Sequence, residues 1–374
     1  MSDTYRFFIM TTDPVHVGTG GMRLGRVDNT IVREPGTNLP KIPGTALHGA
    51  IRMYAARRYG RSQCAGQKGH CGQPTCPICY TFGSIEGEAG SFSGVVSIGY
   101  ARILLFPVYS MVGPVWVTSP AVLFDAGFGG SYSVSDDKAK WNGLTDGDAI
   151  NLGWLMLEKD KEGGDWTPPD SLKQKLPDQI KDRIVLVSPK LFSQIVNSNL
   201  EVRTSVAINP ETGAAEEKAL YTYEAIPRAT ILWFDVIVDD FRGEFPNEKR
   251  LSEWKETLDK GNDAAKQLVK KWHLWKEGKE ENDENKFDES VKKASDWVQD
   301  DLSKYDNNIS WENAIQVVTA GLEWAAHLGI GGMGTRGFGR IRELACLQVK
   351  EHSLNGPCEK EKENAHGGTG STGE

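Results

Sequence analysis

Four cysteines fall within sixteen residues, Cys64, Cys71, Cys76 and Cys79, with the spacing C-x6-C-x4-C-x2-C. The last two form a CPIC knuckle, in which one tight turn aims two thiolates at a common centre. Tetrahedral zinc takes four such ligands, and this segment supplies four. His70, beside Cys71, is an alternative to one of them. No acid follows the cluster in a pattern that would activate a zinc-bound water, so the expected site is closed and structural. Reduced thiols without a metal are the plainer alternative. Cys346 and Cys358 stand alone and read as ordinary thiols.

Residues 329–343, GIGGMGTRGFGRIRE, contain Gly332-x-Gly334-x-x-Gly337, the letters of a dinucleotide fingerprint. The context is wrong for one. That fingerprint follows a strand and opens a helix near the start of a βαβ unit, whereas this loop follows a helix and enters a strand late in the chain. Exposed backbone amides beside Arg336 and Arg340 suit phosphates instead. A second glycine-rich stretch, HVGTGG at 16–21, leads past an isolated acid, Asp28, to the helix start PGTALHGAIR at 43–52. Gly44 and Thr45 offer a cap, and Lys41, His48 and Arg52 add donors near the free amides of a helix terminus. These residues read as a phosphate cradle beside a carboxylate, or more plainly as a loop-to-helix junction with scattered charges.

The elements that must position these groups follow from pattern. Residues 4–11 read as a strand, 43–58 as a helix, 92–108 as one or two buried strands, 183–188 and 228–241 as further strands. Residues 201–227 alternate around an Asn-Pro-Glu-Thr-Gly turn, a hairpin signal. Residues 247–310 turn rich in Lys, Glu and Asp, yet keep Leu251, Trp254, Leu258, Ala265, Val269 and Trp272 near helical spacing, so the tryptophans read as core. A helix over 311–328 precedes the glycine loop and the last strand. The order fits an α+β chain with two ferredoxin-like halves.

The 374 residues carry a net charge of −8, which argues against a uniformly basic nucleic-acid binder. The distribution differs: residues 1–124 hold 11 Lys/Arg against 6 Asp/Glu, a balance of +5 that leaves −13 for the rest. Such asymmetry suits a polyanion held on one face. There is no long apolar run and no signal-peptide pattern, so the expectation is a cytoplasmic protein that contacts no membrane.

HVGTG, GRVDNTIVRE, LPKIPGTALHGAIR, CPICYTFGS, ARILLFPVYSMVGPVWVTSP, LYTYEAIP and GGMGTRGFGR together resemble the RAMP superfamily of CRISPR effector subunits. The similarity spans most of 4–240 and 310–347. It is nearest the backbone subunit of the type III-B (Cmr) complex, with the type III-A (Csm) backbone subunit as the alternative. The resemblance implies an RRM/ferredoxin-like core over 1–240 and 311–350, with a zinc loop at 60–83 and a β-hairpin thumb at about 201–227. It leaves a charged helical insertion at 241–310 and a disordered tail at 351–374. It implies copies stacked in a filament along a guide RNA, together with a large polymerase-like subunit and a small subunit. Target RNA would be cut at regular intervals, with Asp28 as the catalytic aspartate and Mg2+ or another divalent cation required. His16 and Glu224 are candidate assistants in proton transfer. Lys41, Thr45, His48, Arg52, Gly332, Gly334, Arg336, Gly337 and Arg340 match guide-backbone contacts. The rivals are a subunit that binds guide RNA without cutting, and a zinc-stabilised RNA-binding module outside CRISPR.

Overall fold

Phe7, Phe8 and Ile9 are consecutive and all buried, which a strand achieves only when both of its faces are covered. They lie in β1 (Asp3–Thr11) of a computed structural model. It describes residues 2–20, 27–66, 69–87, 89–206, 208, 210–214, 221–275, 283–305, 309–350 and 353–357. The chain continues through the short β2 (Lys41–Ile42), α1 (Gly44–Arg58), α2 (Pro77–Phe82), β3 (Val96–Ile98), β4 (Ala101–Val108) and β5 (Val115–Thr118). The helix α3 (Pro120–Asp125) follows, then β6 (Lys138–Lys140), β7 (Ala149–Leu152) and β8 (Leu155–Lys159). The proline-bearing stretch after them makes two single turns, α4 (Asp170–Lys173) and α5 (Asp178–Lys181). Next come β9 (Ile184–Val187), α6 (Pro189–Ser198), β10 (Glu201–Ser205), β11 (Tyr221–Ala225) and β12 (Ile231–Val238). Among the described residues the charged region forms α7 (Glu248–Asp259), α8 (Asp263–Lys271) and α9 (Asp283–Tyr305). The chain then forms α10 (Ala314–Leu328), β13 (Ile341–Lys350) and β14 (Ser353–Pro357).

The central sheet runs β14-β13-β1-β12-β4-β5-β9-β6-β8-β7, with β2 and β3 paired on its side. Within it β13, β1, β12 and β4 are antiparallel neighbours. With α1 after β1 and α10 before β13, this is the 4-1-3-2 order of one ferredoxin-like β-α-β-β-α-β unit. A second such unit, expected from the element order, is not what the later strands form. They extend the same sheet, β9 lying parallel to β5. Alternation along β1 sorts the core: Phe7 and Ile9 face one cluster with Leu47, Ile51 and Val317 of the two helices, while Phe8 faces another with Leu172, Leu176 and Ile180. The two proline-led turns thus cover the second face of the sheet.

The charged region packs through its apolar stripe. Trp254 and Trp272 meet edge to face at 5.1 Å, and Trp272 stacks on Trp297 at 6.4 Å, all buried. Asparagines start the helices: Asn247, Asn262 and Asn313 each accept from amides of the first turn. Beyond β13 the expected disorder is corrected in part, since Ser353–Pro357 pairs along β13 as an edge strand. The rest of that tail lies outside the described residues. Cys346 is disulfide-bonded rather than a plain thiol. No described helix is long and apolar enough to cross a membrane.

Candidate nucleic-acid interface and thiolate cluster

Strand β11 is the rail on which the candidate catalytic residues are mounted. It pairs antiparallel with β10 to make a two-stranded sheet of its own, with Thr222 opposite Thr204 and Glu224 opposite Val202. Part of the intervening tip lies outside the described residues. On its other side β11 receives the loop that follows β1: Asn29 N–H donates to the Thr222 carbonyl and Glu224 N–H to the Asn29 carbonyl, each at 3.0 Å. The glycine loop closes the third side, Gly332 N–H donating to the His16 carbonyl at 2.9 Å. Gly331 sits at φ 87°, and a Cβ there would lie 2.4 Å from the same carbonyl oxygen, so only glycine fits.

Successive β11 residues then hold successive groups. The hydroxyl of Tyr221 accepts from the Arg336 guanidinium. Thr222 binds Asp28: its amide donates to Oδ2 at 2.7 Å and its hydroxyl to the same atom at 2.9 Å. These bonds hold the Asp28 carboxyl below the usual carboxylate range, the backbone amide being the larger cause. Tyr223 meets the His16 ring edge-on and packs on Phe338, over which the Arg203 guanidinium lies. Glu224 accepts His16 Nδ1–H on its carbonyl at 2.6 Å, and His16 Nε2 is turned toward Gly18.

Of the sequence candidates, the structure gathers Asp28, His16, Glu224, Arg336, Gly332, Gly334 and Gly337 around this rail. Glu224 is corrected as a proton carrier: its carboxylate is tied to Arg33 at 2.9 Å, and Arg33 in turn to Asn197. Arg340 is exposed but paired with Asp13. The residues of β2 and α1 form a separate group. Lys41 lies 4.1 Å over the Tyr100 ring, at a cleft of about 210 Å³ shared with Arg102 and Trp233. Thr45 is exposed in the first turn of α1, which has no side-chain cap and no acid. His48 is half-buried against Phe82, and burial, then Arg52, pushes its pKa down, so it offers no positive charge near neutrality. Arg52 is corrected: it is buried, and its guanidinium donates to the Cys64 and Phe82 carbonyls at 2.7 and 3.3 Å. A charged residue one turn beyond His48 reads as surface in the sequence. Here it anchors the cysteine loop.

The four sulfurs of Cys64, Cys71, Cys76 and Cys79 lie within 4.8 Å of one another, and Cys71 and Cys79 stand 3.7 Å apart. A tetrahedron with bonds of ~2.3 Å has edges of ~3.8 Å, so this cluster can hold a metal ion. His70 is corrected as an alternative ligand. Its Nε2 is 2.6 Å from the Gly66 carbonyl, and its Nδ1 accepts from Ile85 N–H. The cluster is continuous with the charged helices through Arg61, whose guanidinium contacts Cys71 Sγ, Asp300 and Asp301. Thr222, Arg33, Tyr221, Arg203 and Arg61 were not singled out from sequence. The partners that matter lie mostly far along the chain, and only the alternation over 201–227 marked three of them, Arg203, Tyr221 and Thr222, as hairpin residues.

A single ferredoxin-like unit, an appended hairpin and a glycine loop packed on the hairpin stem form one architecture. The family model described as the RAMP superfamily matches residues 8–342, and the chain belongs to that superfamily. Among individual relatives it is similar to the CRISPR system Cmr endoribonuclease Cmr4 of Pyrococcus furiosus, at 28% identity over 254 residues, 63% of this chain and 81% of the relative. A stretch of 52 residues is 40% identical to the CRISPR system Cms endoribonuclease Csm3 of Mycobacterium tuberculosis, covering 14% of this chain and 22% of that protein. Among solved structures it is similar to a chain of the type III-B Cmr-beta complex in its apo state. The TM-score there is 0.49 at 15% identity, over 63% of this chain and 84% of the other.

Proposed function

We propose that this protein is the guide-RNA-binding backbone subunit of a type III-B CRISPR effector and an endoribonuclease that cuts complementary target RNA at regular intervals. The observation that carries the reading is the seat of Asp28: a carboxylate bonded to Thr222 of the hairpin strand β11, one residue from Tyr221, whose hydroxyl accepts from Arg336 of the glycine loop. An acid next to RNA phosphates costs affinity unless it acts on them. The hairpin of about 201–227 is the thumb that would kink the guide–target duplex. Residues 1–240 and 311–350 form the core, and 241–310 an insertion that supports the cysteine loop. Copies of the chain would repeat along the guide, with the large polymerase-like and small subunits as further partners in the cytoplasm.

Cleavage is read as attack of a ribose 2′-OH on the adjacent phosphate once a kink frees the nucleotide from the stack. Asp28 Oδ2 is occupied by Thr222, and among the described residues no donor reaches Oδ1. Oδ1 can therefore orient the 2′-OH or supply one ligand to a divalent cation, the rest coming from RNA and water. Such a cation, when bound, would stabilise charge on the phosphoryl oxygens. Arg336 and the amides of 333–335 would hold the phosphate backbone, those of Gly332, Arg336 and Gly337 being bonded to carbonyls of the chain. His16 would assist as a proton acceptor. The cysteine cluster is read as structural Zn2+, because it is buried and closed by four thiolates.

The test is single-turnover cutting of labelled target by the chain assembled with guide RNA and its partner subunits. The expected products are evenly spaced fragments from complementary target alone. Intact target after assembly on guide would refute the reading.

A further inference from the structure

Thr222 and Asp28 close a reciprocal ring of three hydrogen bonds. Asp28 N–H donates to Thr222 Oγ1 at 3.0 Å, Thr222 Oγ1–H donates to Asp28 Oδ2 at 2.9 Å, and Thr222 N–H donates to the same oxygen at 2.7 Å. The first bond decides the direction of the second. With a lone pair of Oγ1 taken by the Asp28 amide, the hydroxyl proton turns to the carboxylate. The arrangement is the reciprocity of a helix capping box, built here between residues 194 positions apart. β-Branching fixes the threonine rotamer that makes both contacts. The carboxylate takes both Thr222 bonds on one oxygen, Oδ2. The loop itself is tied to the same residue, since the Thr222 carbonyl accepts from Asn29 N–H.

We infer that Thr222 is the positioning residue of the cleavage reaction: it selects which oxygen of Asp28 faces the RNA and makes the aspartate move with the hairpin. The inference rests on the reading of Asp28 as the catalytic group. Thr222 itself touches no reacting atom. A hairpin displaced by the guide–target duplex would carry Asp28 with it, because four hydrogen bonds join Asp28 and Asn29 to Thr222 and a fifth joins Asn29 to Glu224. Duplex formation and carboxylate placement are then one event, and target pairing becomes a condition for cutting.

The experiment compares T222V, T222S, D28A and the unaltered chain, each assembled with guide RNA and partner subunits. Guide binding and zinc content are measured first, then single-turnover cleavage across pH. T222V keeps the β-branched shape and the backbone amide but deletes the hydroxyl. It is expected to bind guide normally and to cut on the order of ten- to a hundredfold more slowly, the weight of one hydrogen bond to a charged group. Its acid limb should move to higher pH, because the carboxylate loses a bond that favours its ionised form. T222S retains the hydroxyl and should recover cutting to within about threefold, with the acid limb restored, the remainder reflecting the looser rotamer. If T222V cuts like the unaltered chain while D28A is inactive, Thr222 does not position the aspartate. If T222V loses guide binding, or is slow with an unmoved acid limb and no recovery in T222S, its role is structural and the proposal is wrong. If D28A cuts at the full rate, the reading of Asp28 fails, and that failure is visible without reference to Thr222.

Discussion

The guanidinium of Arg61 lies 3.0 Å from the carboxylate of Asp301, and both side chains are buried. This pair joins the cysteine loop to α9 of the charged helical region. Tyr59 completes it, donating to Asp301 Oδ1 at 2.7 Å while stacking on Trp311. Burial pushes the Asp301 carboxyl up to about 6, against the pull of Arg61 and Tyr59. Replacing a buried pair whole can be neutral, but deleting one partner leaves the other uncompensated. Asp301→Ala is expected to lower stability by about 3 kcal/mol, read as a drop in the urea midpoint at unchanged slope. The sign with pH is also set. The folded chain holds this proton more readily than the unfolded chain between about 3.8 and about 6, so the group lowers stability as pH rises through that window. Asp301→Asn should flatten that part of the stability curve. An unchanged curve would show that the carboxyl is not perturbed by burial.

What the sequence disclosed and what it hid divide along chain separation. The cysteine spacing, the apolar run of β12 and the helical stripe of the tryptophans are local signals, and each could be read in a short window. The pairing of Asp28 with Thr222, of Arg33 with Glu224 and of Arg61 with Asp301 depends on elements brought together across 191 to 240 positions. No local period encodes such a meeting. Arg52 shows the converse failure: a charge on an amphipathic helix defaults to the surface, and only the carbonyls of Cys64 and Phe82 make its burial tolerable. The sheet was hidden for a related reason. β1 is the first strand in the chain yet sits between β13 and β12, and order along the sequence does not reveal which strand will be central.

The thiolate cluster predicts about one zinc per chain by elemental analysis of protein purified without chelator. Cys76→Ser should abolish zinc retention and destabilise the loop that Arg52 and Arg61 hold. Guide binding should fall only as far as the fold does. Protein that is fully folded and zinc-free would show the cluster to be four reduced thiols.

Arg336 is exposed, and its guanidinium reaches the hydroxyl of Tyr221, the first residue of β11. Arg336→Ala should weaken guide binding equally for guides of any sequence, and should reduce the slope of log affinity against log salt by about 1, as for loss of one phosphate contact. A loss confined to certain guide sequences would mean that the residue reads bases. Tyr221→Phe tests the anchor separately: it keeps the charge and frees the guanidinium, so its effect on the salt slope should be small.

Asp28 carries the sharpest test, because the structure assigns one of its carboxylate oxygens to Thr222 and leaves the other unengaged among the described residues. Asp28→Asn preserves the shape and removes the charge. Target cutting should fall by about 10²- to 10⁴-fold, the range for a positioned catalytic group, with guide and target binding nearly unchanged. The loss should appear in single-turnover rates, where product release is not limiting. If Asp28 acts as proposed, the acid limb of the wild-type rate should follow protonation of this carboxylate. Its pKa is held below the ordinary carboxylate range by the Thr222 amide and hydroxyl, so activity persists as pH falls and is lost only as pH passes below that range. A divalent-metal titration should show weaker metal dependence in Asp28→Asn if Oδ1 is a ligand, and equal dependence if it orients the ribose hydroxyl. Cutting at the wild-type rate and spacing would remove Asp28 from the mechanism. Failure to assemble on guide RNA would make it a structural residue of the hairpin stem.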